Sequence, residues 1–240
     1  MISWNFGLMQ SLLYIAAAVT PALVLCYFVY RHDRIEKEPG SLLKKLFIGG
    51  IWSAAVAMVI ELGAENVLPY IAGREPVIMA ICEATMVAIA EECAKFYFLK
   101  RRSWNNPNFN YRFDGIVYAV TVSLGFAAIE NVLYVFSYGT VDIMVQRAIL
   151  TIPAHMSFAV YMGYYYGLAK TASVRGNQSL SRMNIFAAVL IAVLLHAIYD
   201  GALMIGTEMS MLFFLVFVIF LDIFVIIRIK NEAKHDEPIW

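Results

Sequence analysis

Charge is what this sequence has least of: Asp, Glu, Lys and Arg make up 15% of its 240 residues, where a soluble domain carries about 25%. The 18 acidic and 18 basic side chains also cancel, so no long-range field favours nucleic acid or a strongly acidic partner. Cysteine is scarce. Cys26, Cys82 and Cys93 are odd in number and have no CxxC spacing, which argues against a disulfide framework or a zinc ribbon; each sits in an apolar stretch and is expected to be a small packing residue. The HExxH signature of helical zinc proteases is absent. No polar interval is long enough to fold into a soluble domain, and no segment is of low complexity.

What fills the chain instead is apolar: 61% of residues are hydrophobic and 14% aromatic. They fall into runs of about 20, the length with which an α-helix crosses roughly 30 Å of hydrocarbon. Backbone groups without water must bond within their own segment, so such runs are helical. Seven spans are predicted, at about 9–30, 42–62, 77–99, 114–136, 143–169, 184–206 and 209–228, in one membrane domain covering 1–240. The first run has no Lys or Arg before it and continues past Ala16, Ala17 and Ala18 to Tyr30, so a span is expected there rather than a secretory leader.

Basic residues alternate between the connections. They crowd the loops containing Arg31 to Lys45, Lys100 to Arg112 and Lys170 to Arg182, and the tail from Arg228 to Lys234, whereas the other loops hold Arg74 and Arg147. The positive-inside rule then predicts an external N-terminus and a cytoplasmic C-terminus.

Polar side chains within the spans carry the chemistry. An ionised group at the centre of a membrane helix costs roughly 2.5 to 3.5 kcal/mol and needs a partner or a purpose. Glu91, Glu92 and Lys95 lie in the third span, Glu130 and Asn131 in the fourth, His155 in the fifth, and His196 and Asp200 in the sixth. Glu91 and Lys95 are four apart and are expected to pair, with Glu92 turned about 100° away. His196 and Asp200 share that spacing, so the carboxylate can orient the imidazole or join it in holding water or metal. Asn131 and Asp222 are expected to be interhelical contacts, Glu61, Glu65 and Glu83 to be solvated near the span ends, and Tyr161, Tyr164, Tyr165 and Tyr166 to form a belt or packing.

Two hydrolytic schemes use such residues. Zinc can be held by members of the set His155, His196, Glu91 and Asp200, with a second carboxylate as base. Without metal, a Glu and a His can activate water while a second His stabilises the oxyanion. Two other classes compete: a proton-coupled transporter, since membrane Glu and His chains relay protons, and a noncatalytic scaffold of the same fold.

A family resemblance adds to this reading. Glu91-Glu92-Cys93-Ala94-Lys95, Phe113-Asp114-Gly115-Ile116-Val117-Tyr118 leading through Ser123-Leu124-Gly125-Phe126 to Glu130-Asn131, His155, and His196-Ala197-Ile198-Tyr199-Asp200 resemble the PrsW family of membrane proteases, as does the first loop from Asp33 to Glu38-Pro39. The resemblance implies an all-α polytopic bundle with a conical water-filled cavity in a bacterial cell membrane. It also implies site-one cleavage of a single-pass membrane protein such as an anti-sigma factor. The family is distantly similar to type II CAAX prenyl endopeptidases and CPBP proteins, whose pattern is EExxxR, FxxxH and HxxxN. By that match Glu91 and His155 activate water, and His196 with Asp200 takes the oxyanion side. The present chain departs from that pattern at Lys95, one residue early, at Thr151 in place of Phe, and at Asp200 in place of Asn. Together the two readings nominate Glu91, Glu92, His155 and His196 as catalytic, with Lys95, Asp200, Glu130 and Asn131 supporting, and zinc or no metal as cofactor.

Overall fold

The computed structural model describes residues 2–73, 75–138 and 141–240. Each predicted span is helical. The long helices are α1 (Ile2–His32), α2 (Gly40–Glu65), α4 (Pro76–Ser103), α5 (Asp114–Tyr138), α7 (Ile152–Val174), α8 (Gln178–Ile205) and α9 (Glu208–Lys234), and α3 (Leu68–Ala72) and α6 (Val141–Gln146) are short. Most run beyond their predicted ends, because polar turns can continue a helix past the apolar stretch that defines its span. Arg74 lies outside the described residues.

Among the described residues, six segments are long and apolar enough to cross a membrane, the α6 to α7 stretch counting as one. Helix α4 has 28 residues, about 42 Å at 1.5 Å per residue. It falls short only in apolarity, because it carries Glu83, Glu91, Glu92 and Lys95. The chain is a multi-pass helical membrane bundle.

The fifth predicted span is interrupted. A five-residue π-helical segment, Arg147–Thr151, separates α6 from α7. Pro153 stands in the first turn of α7 and has no N–H to give the preceding turn. The widened turn accommodates that loss.

Helix α5 is the centre of the bundle and is buried along most of its length. Glycines let its neighbours approach closely. A Cβ on Gly50 of α2 would stand 1.9 Å from the Val122 carbonyl oxygen, and one on Gly163 of α7 would stand 2.5 Å from that of Gly115. Small residues at such crossings bring backbones into contact where lipid supplies no hydrophobic drive. The outward faces expose Val59, Phe186, Phe213, Ile219 and Phe224, a surface suited to acyl chains. Cys93 is on this exposed side, a correction to its expected packing role: it is one residue beyond Glu92, and about 100° of helical rotation turns it outward.

The basic connections gather at one end. Asn110 donates to Glu36 at 2.9 Å, Arg112 pairs with Glu237 at 3.0 Å, Arg102 donates to the Lys45 carbonyl at 2.9 Å, and Lys170 to that of Trp104 at 2.7 Å. The C-terminal tail closes this end, with Ile239 N–H donating to the Asn110 carbonyl at 2.9 Å.

Candidate active site

Helix α4 supplies the centre. Glu91, Glu92 and Lys95 are all buried, and Lys95 donates to Glu91 Oε2 at 2.9 Å and to Glu92 Oε1 at 2.8 Å. The expected pairing with Glu91 is present, but Glu92 is not turned away. A lysine reaches both the i−4 and the i−3 neighbour, and two carboxylates without water compete for its three donors. The ammonium also lies 3.9 Å over the Phe126 ring centroid, a cation–π contact strengthened by desolvation.

Helices α7 and α8 bring in the imidazoles. His155 Nδ1 is 3.2 Å from Lys95 Nζ, and its Nε2 is 3.1 Å from Glu130 Oε2. An ammonium only donates, so Nδ1 accepts and the ring proton is on Nε2, directed at Glu130. On α8, His196 Nδ1 meets Glu92 Oε1 at 2.9 Å and Nε2 meets Asp200 Oδ2 at 3.1 Å. Carboxylate oxygens therefore flank both nitrogens of His196. Phe158 stacks on this ring at 5.0 Å, and the two imidazoles meet edge to face at 5.6 Å. Ser123 of α5 donates to the His155 carbonyl at 2.9 Å, fixing α7 against α5.

Glu130 is held from its other side by Arg147 at 2.8 Å. The same guanidinium donates to Asn131 Oδ1 at 3.1 Å and covers the Tyr134 ring at 3.8 Å. Asn131 in turn donates to the Ala18 carbonyl at 2.8 Å, an interhelical contact as expected. Asp222 accepts from Ser157 at 2.8 Å, likewise a packing contact. Of the four tyrosines, Tyr166 is buried and shares a hydrogen bond with Ser103 at 2.9 Å, while Arg228 lies over Tyr161 and Tyr164.

A cavity of about 540 Å³ opens on this network, lined by Glu91, Glu130, His155, His196 and Asp200, with Arg147 at its wall. Glu92 is not on the wall and is fully buried behind it. Glu61 and Glu83 also line the cavity, a correction to their expected place at solvated span ends. Both side chains reach the cavity. The Glu65 side chain lies outside the described residues.

Arg147 is the residue sequence reasoning missed as part of the site. In the sequence it reads as a loop base, although it precedes His155 by eight residues, about two helical turns. An arginine so close to a membrane histidine is itself a signal.

For a metal, Glu91, Glu92 and His196 offer ligand atoms within 4.8 Å of one another. Glu92 Oε2 is buried with no hydrogen-bond partner. One imidazole and two carboxylates are a zinc-type donor set, so these residues fit such an ion. The gathered set differs from the expected one. His155 faces Lys95 and Glu130, and Asp200 lies on the opposite ring nitrogen of His196.

A polytopic helical bundle holding paired glutamates, a buried lysine and two histidines around a polar cavity defines an intramembrane hydrolase. Residues 38–227 match the sequence profile described as PrsW family intramembrane metalloprotease, and the chain belongs to that family. It is 31% identical over 227 residues to Protease PrsW of Clostridioides difficile (strain 630), covering 93% of this chain and 92% of that protein. It is 33% identical to Protease PrsW of Geobacillus kaustophilus (strain HTA426) over 79% of each chain. Against Protease PrsW of Bacillus subtilis (strain 168) it is 29% identical, over 78% of this chain and 80% of that one. No solved structure matches the chain significantly. The protein is an intramembrane protease.

Proposed function

We propose that Glu91 is the general base of peptide hydrolysis and that Glu92 is a positioning residue behind it. The observation that carries this division is that Glu91 lines the cavity whereas Glu92 is sealed beneath it. Lys95 holds Glu91 by Oε2, leaving the other carboxylate oxygen for water.

In this reading Glu91 removes a proton from water as its oxygen attacks the scissile carbonyl. The carbonyl π electrons move to oxygen. The Nε2–H of His196, which faces Asp200 at rest while Glu92 holds Nδ1, is shared with that oxyanion as it forms. Collapse of the tetrahedral species breaks the C–N bond, and the proton taken by Glu91 passes to the leaving amine. Asp200 therefore orients His196 rather than facing the oxyanion. His155 and Glu130 line the opposite wall, where they direct the substrate carbonyl and exclude alternative water positions. Zinc, if held by Glu91, Glu92 and His196, would instead supply Lewis-acid polarisation and a more acidic water, with Glu91 then a ligand and not the base.

The substrate is a single-pass membrane protein reaching the cavity through the bilayer, and an anti-sigma factor cleaved at site one is the substrate class. The membrane is the bacterial plasma membrane, with the basic end of the bundle cytoplasmic by charge asymmetry. Reconstitution with a single-pass substrate tests the reading. Glu91→Gln and His155→Ala are expected to abolish cleavage in correctly folded protein, and parent-level cleavage by Glu91→Gln overturns it.

A further inference from the structure

A second cluster lies at the basic end of the bundle, apart from the cavity. Asp33 follows α1, Glu38 precedes Pro39 at the start of α2, and Asp114 opens α5. Their carboxylates offer oxygens within 4.8 Å of one another, and all three residues are buried, at 1%, 3% and 1% exposure.

Two members are fixed by neighbours. Asp114 Oδ2 accepts from the Asn110 and Tyr111 N–H groups at 3.0 and 2.7 Å. Glu38 Oε2 accepts from the buried Tyr118 hydroxyl at 2.6 Å. The third is incomplete, because Asp33 Oδ2 is buried with no hydrogen-bond partner. Lys37 is the nearby base, but its ammonium is bound to the backbone carbonyls of Tyr30 and Asp33. Further charge near Asp33 comes from Glu36 and Asp236, which are acidic as well.

Three buried carboxylates, one with an unmatched oxygen, ask for a cation that the surrounding side chains do not provide. The donor set is all oxygen, without His or Cys, which selects a hard ion rather than zinc. Calcium bonds at about 2.3–2.6 Å can bridge oxygens up to about 5 Å apart, whereas magnesium bonds at about 2.0–2.1 Å require the oxygens to draw in slightly.

We propose that Asp33, Glu38 and Asp114 bind one divalent hard cation, calcium or magnesium, which clamps the α1–α2 loop to the start of α5. The site is separate from the hydrolytic centre and supports the bundle. Asp236 adds the C-terminal tail to the clamp, since it accepts from the Phe113 N–H at 2.9 Å next to Asp114.

The test uses the full chain in detergent, stripped with EDTA and exchanged into metal-free buffer. Calcium or magnesium chloride is added back, with bound metal counted after dialysis. Expected are about one bound cation per chain and a rise in unfolding midpoint of at least about 3 °C at saturation. Glu91→Gln should retain both responses. Asp33→Asn should lose both, while remaining folded by circular dichroism. The two salts run separately decide between calcium and magnesium. Absence of binding and of any midpoint shift with either ion overturns the proposal, as does a shift that Asp33→Asn retains. An Asp33→Asn protein more stable than the metal-saturated parent also overturns it, and would mark the cluster as carboxyls sharing protons.

Discussion

Glu92 Oε1 and His196 Nδ1 stand 2.9 Å apart across the contact of α4 with α8, although 104 residues separate them in the chain. The same oxygen accepts from Lys95 at 2.8 Å. One fully buried carboxylate therefore joins the lysine of one helix to the imidazole of another. Its neighbour Glu91 is the one that reaches the cavity.

Glu91 and Glu92 should consequently fail differently when neutralised. Glu91→Gln is expected to lower kcat by at least about 100-fold, the scale of general-base catalysis, with little change in thermal stability. Glu92→Gln keeps the side-chain shape but removes a buried charge from Lys95, and should cost about 2 kcal/mol or more of stability. Cleavage rates and unfolding midpoints measured on both variants check this, and equal profiles would remove the distinction.

Lys95 is the shared counter-charge of both glutamates and is 1% exposed. Lys95→Met leaves the sealed Glu92 and the cavity-lining Glu91 without their counter-charge. Loss of one partner from a buried ionic group costs about 3–5 kcal/mol, so the variant should unfold at markedly lower temperature and yield little folded protein. A double change, Lys95→Met with Glu92→Gln, should regain part of that loss, which a double-mutant cycle measures.

Arg147 touches Glu130, Asn131 and the Tyr134 ring but none of the α4 residues by hydrogen bond. It acts by positioning Glu130 against His155. Arg147→Ala should reduce kcat/KM by up to about 100-fold through misplacement of these groups. Arg147→Lys can replace the charge but not the forked geometry, and should restore only part of the activity. Full rescue by lysine would show that charge alone matters.

Helix approach is testable with single methyl groups. A Cβ on Gly163 would lie 2.5 Å from both the Gly115 carbonyl oxygen and the Ile116 Cα, with no flexible side chain to yield. Gly163→Ala should therefore destabilise by about 1–3 kcal/mol or more. Gly63 of α2 has nothing within 4 Å of its virtual Cβ, and Gly63→Ala should be neutral or stabilising by up to about 1 kcal/mol. Unfolding in matched detergent distinguishes the two.

The helices were legible because lipid leaves the backbone no alternative and the apolar runs have the length to cross it. The i,i+4 pairs were legible for a similar local reason: one turn of helix decides which side chains share a face, as with Lys95 and Glu91 or Asp200 and His196. The double grip of Lys95 was not, since it depends on α8 packing against α4 so that Glu92 is buried beside His196. The break before α7 was hinted at by Pro153, but the widened turn that carries Arg147 to Glu130 is a packing outcome.

By itself, then, the sequence determined that this is a helical membrane protein, that its charges divide into loops and a buried minority, and which family motifs that minority forms. Only the tertiary structure decided that Glu91 faces the cavity while Glu92 lies behind it, that Glu61 and Glu83 join the wall, and that Asp33, Glu38 and Asp114 meet at the basic end. The physical reason is range: helix formation and neighbour pairing follow from contacts within one turn. Cavity-facing and buried positions follow from which helices pack together, and in this bundle backbone approach at glycines such as Gly50 and Gly163 joins segments far apart in the chain, at Val122 and Gly115.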